Sequence, residues 1–163
     1  QFEIEWTAER EGLGATQSAD TIEARWQIAR SSGRYSLIFS TDFGTTLDDG
    51  PTPQNLFTLG GFLNLSGLSP GALSGPHYGI GRLILYRQIG RGGSGVLDLP
   101  AYAGISLEAG NTWQDRGDAR LSSLKRDASL FLGADTILGP VYLATGFNEG
   151  GETAFYLFLG RTF

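Results

Sequence analysis

The sequence predicts an all-β chain, and three observations carry that expectation. Apolar and polar residues alternate with a period of two through most of the chain. Glycine is abundant, 25 of 163 residues, and gathers with proline, aspartate, asparagine and serine between the alternating stretches. No stretch sustains a helical period. The longest apolar run, "AFYLFLG", is strand-sized, far below the roughly 18 residues of a membrane-spanning helix.

Nine segments follow from the alternation: 2–10, 21–30, 34–43, 56–65, 78–89, 101–111, 126–138, 140–148 and 153–163. "SSG" and "LGP" are short connections; "EGLGATQSAD", "GTTLDDGPTPQN" and "NTWQDRGDARLSSLK" are long ones. No composition shift divides the chain, so residues 1–163 form one domain.

The two faces of each segment differ in kind. Phe2, Ile4, Trp6 and Ala8 share one face of the first, and Glu3, Glu5, Thr7 and Glu9 the other. The second sets Ile22, Ala24, Trp26 and Ile28 against Glu23, Arg25 and Gln27. The third sets Tyr35, Leu37 and Phe39 against Ser36, Ile38, Ser40 and Asp42. Ile105 and Leu107 oppose Ser106 and Glu108; Leu130 and Leu132 oppose Ser129, Phe131 and Asp135; Phe155, Leu157 and Leu159 oppose Tyr156, Phe158 and Gly160.

The apolar face carries almost no charge through its middle, Arg161 near a strand end being the main exception. A cationic side chain facing lipid at the bilayer midplane costs about 2–4 kcal/mol, so a lipid-facing surface selects such a band. Segments of about ten residues match a tilted bilayer crossing. Trp6, Trp26, Tyr35, Trp113, Tyr142 and Phe163 near segment ends fit an aromatic girdle. The expected fold is therefore a transmembrane antiparallel β-barrel, with eight or nine strands in this chain. Glu3, Glu5, Glu23, Arg25, Asp42, Glu108 and Asp135 are then lumen polar residues. The competing architecture is a soluble sandwich or lipocalin-like barrel, or a small or multi-chain barrel, whose apolar face lines a ligand cavity or whose lumen is a pore.

A net charge of −5 and a pI near 4.8 give no electrostatic footprint for nucleic acid. The absence of cysteine excludes disulfides and thiolate metal sites. "QFEIEW" lacks the layout of a signal peptide and reads as a mature end or a cut inside a longer chain.

The ending "AFYLFLGRTF" resembles the terminal signal read by the bacterial outer-membrane assembly machinery, here Phe155, Leu157, Leu159, Gly160 and Phe163. It is similar to the last strand of the superfamily of outer-membrane insertases and two-partner-secretion transporters, which forms 16-stranded barrels. In that superfamily an extracellular loop folds back into the lumen, carrying Val-Arg-Gly-Tyr/Phe after a Leu-Gly-Gly strand end. "FTLGGFLNLSGL" supplies Gly60 and Gly61 and then Leu65, Ser66, Gly67 and Leu68 in the matching place. The longer stretch "FTLGGFLNLSGLSPGALSGPHYGIGRLILYRQI" is most similar to the barrels of patatin-like phospholipase autotransporters, the type Vd secretion class. The family arginine is replaced by Ser66 and the aromatic by Leu68, so the guanidinium of the family loop has no counterpart at that position.

This resemblance implies a bacterial outer-membrane location and the C-terminal half of a 16-stranded barrel. It implies an anchor or export domain for an N-terminal lipid hydrolase that this chain does not contain. Implied partners are outer-membrane lipid, the assembly machinery and that upstream passenger domain, with a homodimer if two chains share a barrel. If Phe163 ends at the periplasm, "NEGGE", "NTWQDRGDARLSSLK", "SGLSPGALSGPH" and "SSG" fall outside. "LGP", "GRGGSGVLDLP" and "GTTLDDGPTPQN" then fall in the periplasm.

Catalytic motifs are weak. "GLSPG" fits the nucleophile-elbow spacing around Ser69, but the next residue, Pro70, lacks the backbone N–H that the oxyanion hole requires. The stretch that follows is too rich in glycine and proline for the helix an elbow needs. "DDGP" puts Asp49 before the serine, and "RGGSG" lies after it, the reverse of the patatin order. His77 is the single histidine and has no partner ligands at metal spacing. The expectation is that this chain is not an enzyme and has no catalytic, cofactor or metal site.

Overall fold

Alternation at period two with turn residues at the breaks forms a meander in which successive strands pair. A computed structural model describes residues 1–9, 19–47, 56–90, 99–136 and 139–160. Its strands are β1 (Phe2–Glu9), β2 (Ala19–Ser32), β3 (Tyr35–Thr46), β4 (Phe57–Leu59), β5 (Leu73–Gly75), β6 (His77–Gln88), β7 (Ala101–Trp113), β8 (Lys125–Thr136), β9 (Gly139–Asn148) and β10 (Thr153–Leu159). Among the described residues there is no α-helix, only two single 3₁₀ turns between β7 and β8.

Eight strands form one antiparallel sheet in the order β1-β2-β3-β6-β7-β8-β9-β10. Among the described residues β1 and β10 are open edges, so the sheet is not closed into a barrel. The segment expected at 56–65 does not join it. Its start pairs with 73–75 in the small β4-β5 hairpin, and β3 pairs directly with β6. Gly60 and Gly61, at φ 122° and 109°, end β4 in a backbone region that side chains avoid. Apolar content suggested a strand there; the twin glycines turn it into a loop.

This corrects the sidedness count. With no crossing at 56–65, the connection from β3 to β6 leaves and returns at one end of the sheet, where the Thr46 N–H donates to the Pro76 carbonyl at 2.8 Å. "GTTLDDGPTPQN", of which 48–55 lie outside the described residues, thus belongs to the same connection as "SGLSPGALSGPH". The "SSG" turn moves to the opposite end, where the Gln88 N–H donates to the Arg34 carbonyl at 2.9 Å. The end bearing the β3-β6 and β7-β8 connections is called the loop end here, the other the turn end.

One face of the sheet is bare and apolar. Phe2, Ile4, Trp26, Leu37, Phe39, Leu83, Leu85, Ile105, Leu107, Leu130, Leu132, Leu143, Phe155, Leu157 and Leu159 are all exposed on it, from one edge strand to the other. Charged residues in the same phase, Asp20, Arg30, Arg87 and Arg126, stand only near strand ends. At the turn end the Arg87 guanidinium lies 5.3 Å from the Tyr35 ring centre, a cation–π arrangement. Two expected girdle residues are elsewhere. Trp26 lies mid-strand, edge-on to Phe39 at 5.6 Å, and Tyr142 lies on the opposite face, over Gly133.

The core lies on that opposite face, under the β4-β5 connection. Leu63, Ile84, Phe131, Ala144 and Tyr156 form one buried cluster, and Leu59, Leu65 and Ile80 a second. Phe62 extends the first, stacking on Phe158 and meeting Phe131 edge-on, both at 5.6 Å.

Candidate functional site

The loop after β4 is the best-defined polar site. Leu65 and Ser66 are completely buried, although they lie in a connection rather than a strand. Backbone hydrogen bonds fold the loop on itself: Gly60 N–H to the Asn64 carbonyl (2.7 Å), and Gly61 N–H to the Leu68 carbonyl (3.0 Å). Leu63 and Leu65 adopt φ 57° and 71°, a left-handed conformation that costs a side-chain-bearing residue about 1–3 kcal/mol unless its surroundings impose it. Here the Leu63 N–H donates to Ser66 Oγ at 2.8 Å, and Leu65 packs with Leu59 and Ile80.

Two buried carboxylates receive the loop. Glu108 on β7 and Asp127 on β8 are direct cross-strand partners, 3% and 5% exposed. The Ser66 N–H donates to Glu108 Oε2 (2.7 Å) and the Ser66 hydroxyl to Oε1 (2.6 Å). The next amide, Gly67 N–H, donates to Asp127 Oδ2 at 2.6 Å. Ser106 Oγ also donates to Glu108 Oε1, leaving the Ser129 hydroxyl to donate to Ser106 at 2.6 Å. Asp127 Oδ1 is buried without a hydrogen-bond partner among the described residues. The Tyr156 hydroxyl closes the far side, shared between the Ser66 and Leu68 carbonyls at 2.8 Å each. Consecutive amides thus meet the two carboxylates.

Close backbone approach makes this seat possible. A Cβ on Gly146 of β9 would overlap the Ser66 carbonyl, so only glycine lets the loop lie so near the sheet.

Beside the loop lies a cavity of about 550 Å³, lined by Glu3, Arg25, Gln27, Ser40, Asp42 and Arg82 among others. Arg82 is its hub. It donates to Asp42 Oδ2 (2.6 Å), the Leu63 carbonyl and Asn64 Oδ1 (3.2 Å). Arg25 approaches Asp42 Oδ1 at 3.5 Å through Nε and Glu3 at 3.9 Å, distances of ion pairs rather than of hydrogen bonds. Glu23 accepts from the Tyr78 hydroxyl at 2.9 Å. Glu5 is exposed, opposite Glu23 in the register, and Asp135 stands at the turn end, 3.5 Å from the Tyr102 hydroxyl. All seven expected polar residues therefore share the loop-covered side, but only Glu108 touches the loop backbone.

The other expected residues are placed as follows. Phe155, Leu157 and Leu159 are exposed on the bare face, Gly160 follows β10, and Phe163 lies outside the described residues. Ser69 is exposed in a turn, its carbonyl accepting from the Ala72 N–H at 3.0 Å, and the chain continues into β5 rather than a helix. His77 Nδ1 shares a hydrogen bond with Thr45 Oγ1 at 2.8 Å. Sequence reasoning put Ser106, Ser129 and Tyr156 on the polar face without making them site residues, and missed Arg82 and Asp127. The phase that marked Asp135 also marks Asp127 and Ser129, and the phase of Tyr78 marks Arg82. No family model and no curated protein matches this sequence.

Proposed function

We propose that the chain is an arc of a bacterial outer-membrane β-barrel wall, with its bare face in lipid and the loop-covered face toward a polar lumen. The observation that carries this is the inverted burial: carboxylates and serines are buried while an apolar band spans all eight strands uncovered. Water penalises such a surface at roughly 25 cal/mol per Å² of apolar area; lipid does not.

Two physical arguments extend the arc beyond eight strands. Hydrocarbon tolerates no open sheet edge, so β1 and β10 need further strands as neighbours. A closed eight-stranded barrel has an interior just wide enough for its own side chains, whereas this sheet also carries the 57–75 connection on one face. A larger barrel has room for it, consistent with the C-terminal half of a 16-stranded one. The missing strands come from upstream polypeptide, or from a second copy when this chain is refolded alone.

The resemblance of the "FTLGGFLNLSGL" stretch and the "GRTF" ending adds the role: an anchor, and an export route, for an N-terminal patatin-like lipid hydrolase. The clamped loop is a plug or positioning element in that reading, and the chemistry belongs to the passenger. The test is to refold the chain from urea into phospholipid vesicles and float them on a density gradient. Recovery with the vesicles after a carbonate wash, with heat-modifiable migration on a semi-native gel, supports the reading. A monomer that remains in the aqueous fraction contradicts it.

A further inference from the structure

The bare face is not uniform. Where β3, β6 and β7 meet near the loop end, a groove of about 520 Å³ is sunk into it. Gly79, Gly81 and Ala109 put little side chain at its floor, while Phe43 and Trp113 stand beside it. The β7-β8 connection folds over its mouth. Asn111 Nδ2 donates to the Ser123 carbonyl (2.7 Å), and Trp113 Nε1 donates to Ser123 Oγ (2.9 Å). Arg116 reaches across to the Thr46 carbonyl at 2.9 Å.

Charge is sorted at this mouth. The connection carries Asp115, Arg116, Asp118 and Arg120; both arginines line the groove and neither carboxylate does. Among the described residues the Arg120 side chain has no ion-pair or hydrogen-bond partner. An apolar trough that opens toward mid-sheet, with guanidinium groups at the strand-end mouth, matches one chemistry: a hydrocarbon chain below and an anionic phosphate above.

We infer that this groove holds one acyl chain of an anionic, phosphate-bearing lipid, with its phosphate at Arg116 and Arg120. The inference rests on the membrane reading and assigns a specific lipid site within that face. The site selects by headgroup, since each basic residue at a membrane surface favours an anionic over a zwitterionic lipid by about fivefold.

The test uses the full chain with Trp6→Phe and Trp26→Phe, so that Trp113 alone reports. The protein in nonionic micelles is titrated with brominated phosphatidylglycerol and, separately, brominated phosphatidylcholine. Saturable quenching at severalfold lower phosphatidylglycerol is expected. Arg120→Ala should lower the headgroup preference about fivefold, leaving the share of Arg116, and should keep the fold intact, since its side chain packs no core. Gly81→Leu should weaken both lipids: a Cβ there meets nothing nearer than Thr41 Cγ2 at 3.9 Å, so a side chain enters the trough there without a clash at its root. Equal quenching curves for the two lipids, or an unchanged curve in Gly81→Leu, overturn the groove while the membrane reading stands. No quenching by either lipid, with quenching by aqueous iodide, overturns both.

Discussion

Ser66 and Glu108 hold each other through both polar groups of the serine, backbone N–H to Oε2 at 2.7 Å and hydroxyl to Oε1 at 2.6 Å. They are 42 residues apart, one in a loop and one in the middle of the sheet. A small side chain at position 66 lets the loop backbone itself reach the carboxylates. Two amides and a hydroxyl, those of Ser66 and the Gly67 N–H, thus satisfy the buried carboxylates.

Ser66→Ala removes the hydroxyl bond to Glu108 and the acceptor of the buried Leu63 N–H. Hydrogen bonds to charged groups contribute about 1.5–3 kcal/mol, and the variant should lose stability in that range. The urea midpoint of unfolding in micelles, followed by circular dichroism, checks it.

Asp127 separates two effects. Its Oδ2 satisfies the Gly67 N–H, yet it sits directly opposite Glu108, and like charges so placed repel. Asp127→Asn keeps an acceptor and removes the repulsion, so it should be at least as stable as the parent. Asp127→Ala strands the amide and should cost about 1–3 kcal/mol. The same urea midpoints decide, and equal losses in both variants would contradict the assigned role.

Gly146→Val places a side chain where the Ser66 carbonyl now lies. The loop should lift from β9 and free Phe62 from its stack on Phe158. Limited chymotrypsin digestion should then cut at Phe62 in the variant and spare it in the parent.

Leu132 stands on the bare face of β8, 52% exposed. Leu132→Arg should block bilayer assembly, because an arginine at mid-depth costs about 2–4 kcal/mol. Leu121→Arg, in the connection beyond the sheet, should assemble. Heat-modifiable migration on a semi-native gel reads both.

The two-faced strands were legible because a period of two needs only local sequence. Glu108, Asp42 and Asp135 were placed on the polar side by phase alone; Glu108 and Asp42 are buried, while Asp135 is exposed at the turn end. The stretch at 56–65 was not legible as a loop. Phe62, Leu63 and Leu65 look like a strand's apolar residues, but they fill the core from outside the sheet. Composition cannot distinguish an apolar loop folded inward from a buried strand; Gly60 and Gly61 were the local sign. The Glu108–Asp127 pair depends on register, which joins positions 19 residues apart through a connection of unknown length in space. Trp26 and Tyr142 show the same limit. Nearness to a segment end in sequence does not fix depth in the sheet or face.

The central claim is that the bare face meets hydrocarbon, and Trp26 tests it most directly. It is exposed at mid-strand on that face, and Trp6→Phe with Trp113→Phe leaves it as the sole tryptophan of the three. Refolded into vesicles, this variant should be quenched strongly by lipids brominated deep in the acyl chain and hardly by aqueous iodide. Quenching by iodide with no response to the brominated lipids would contradict the account.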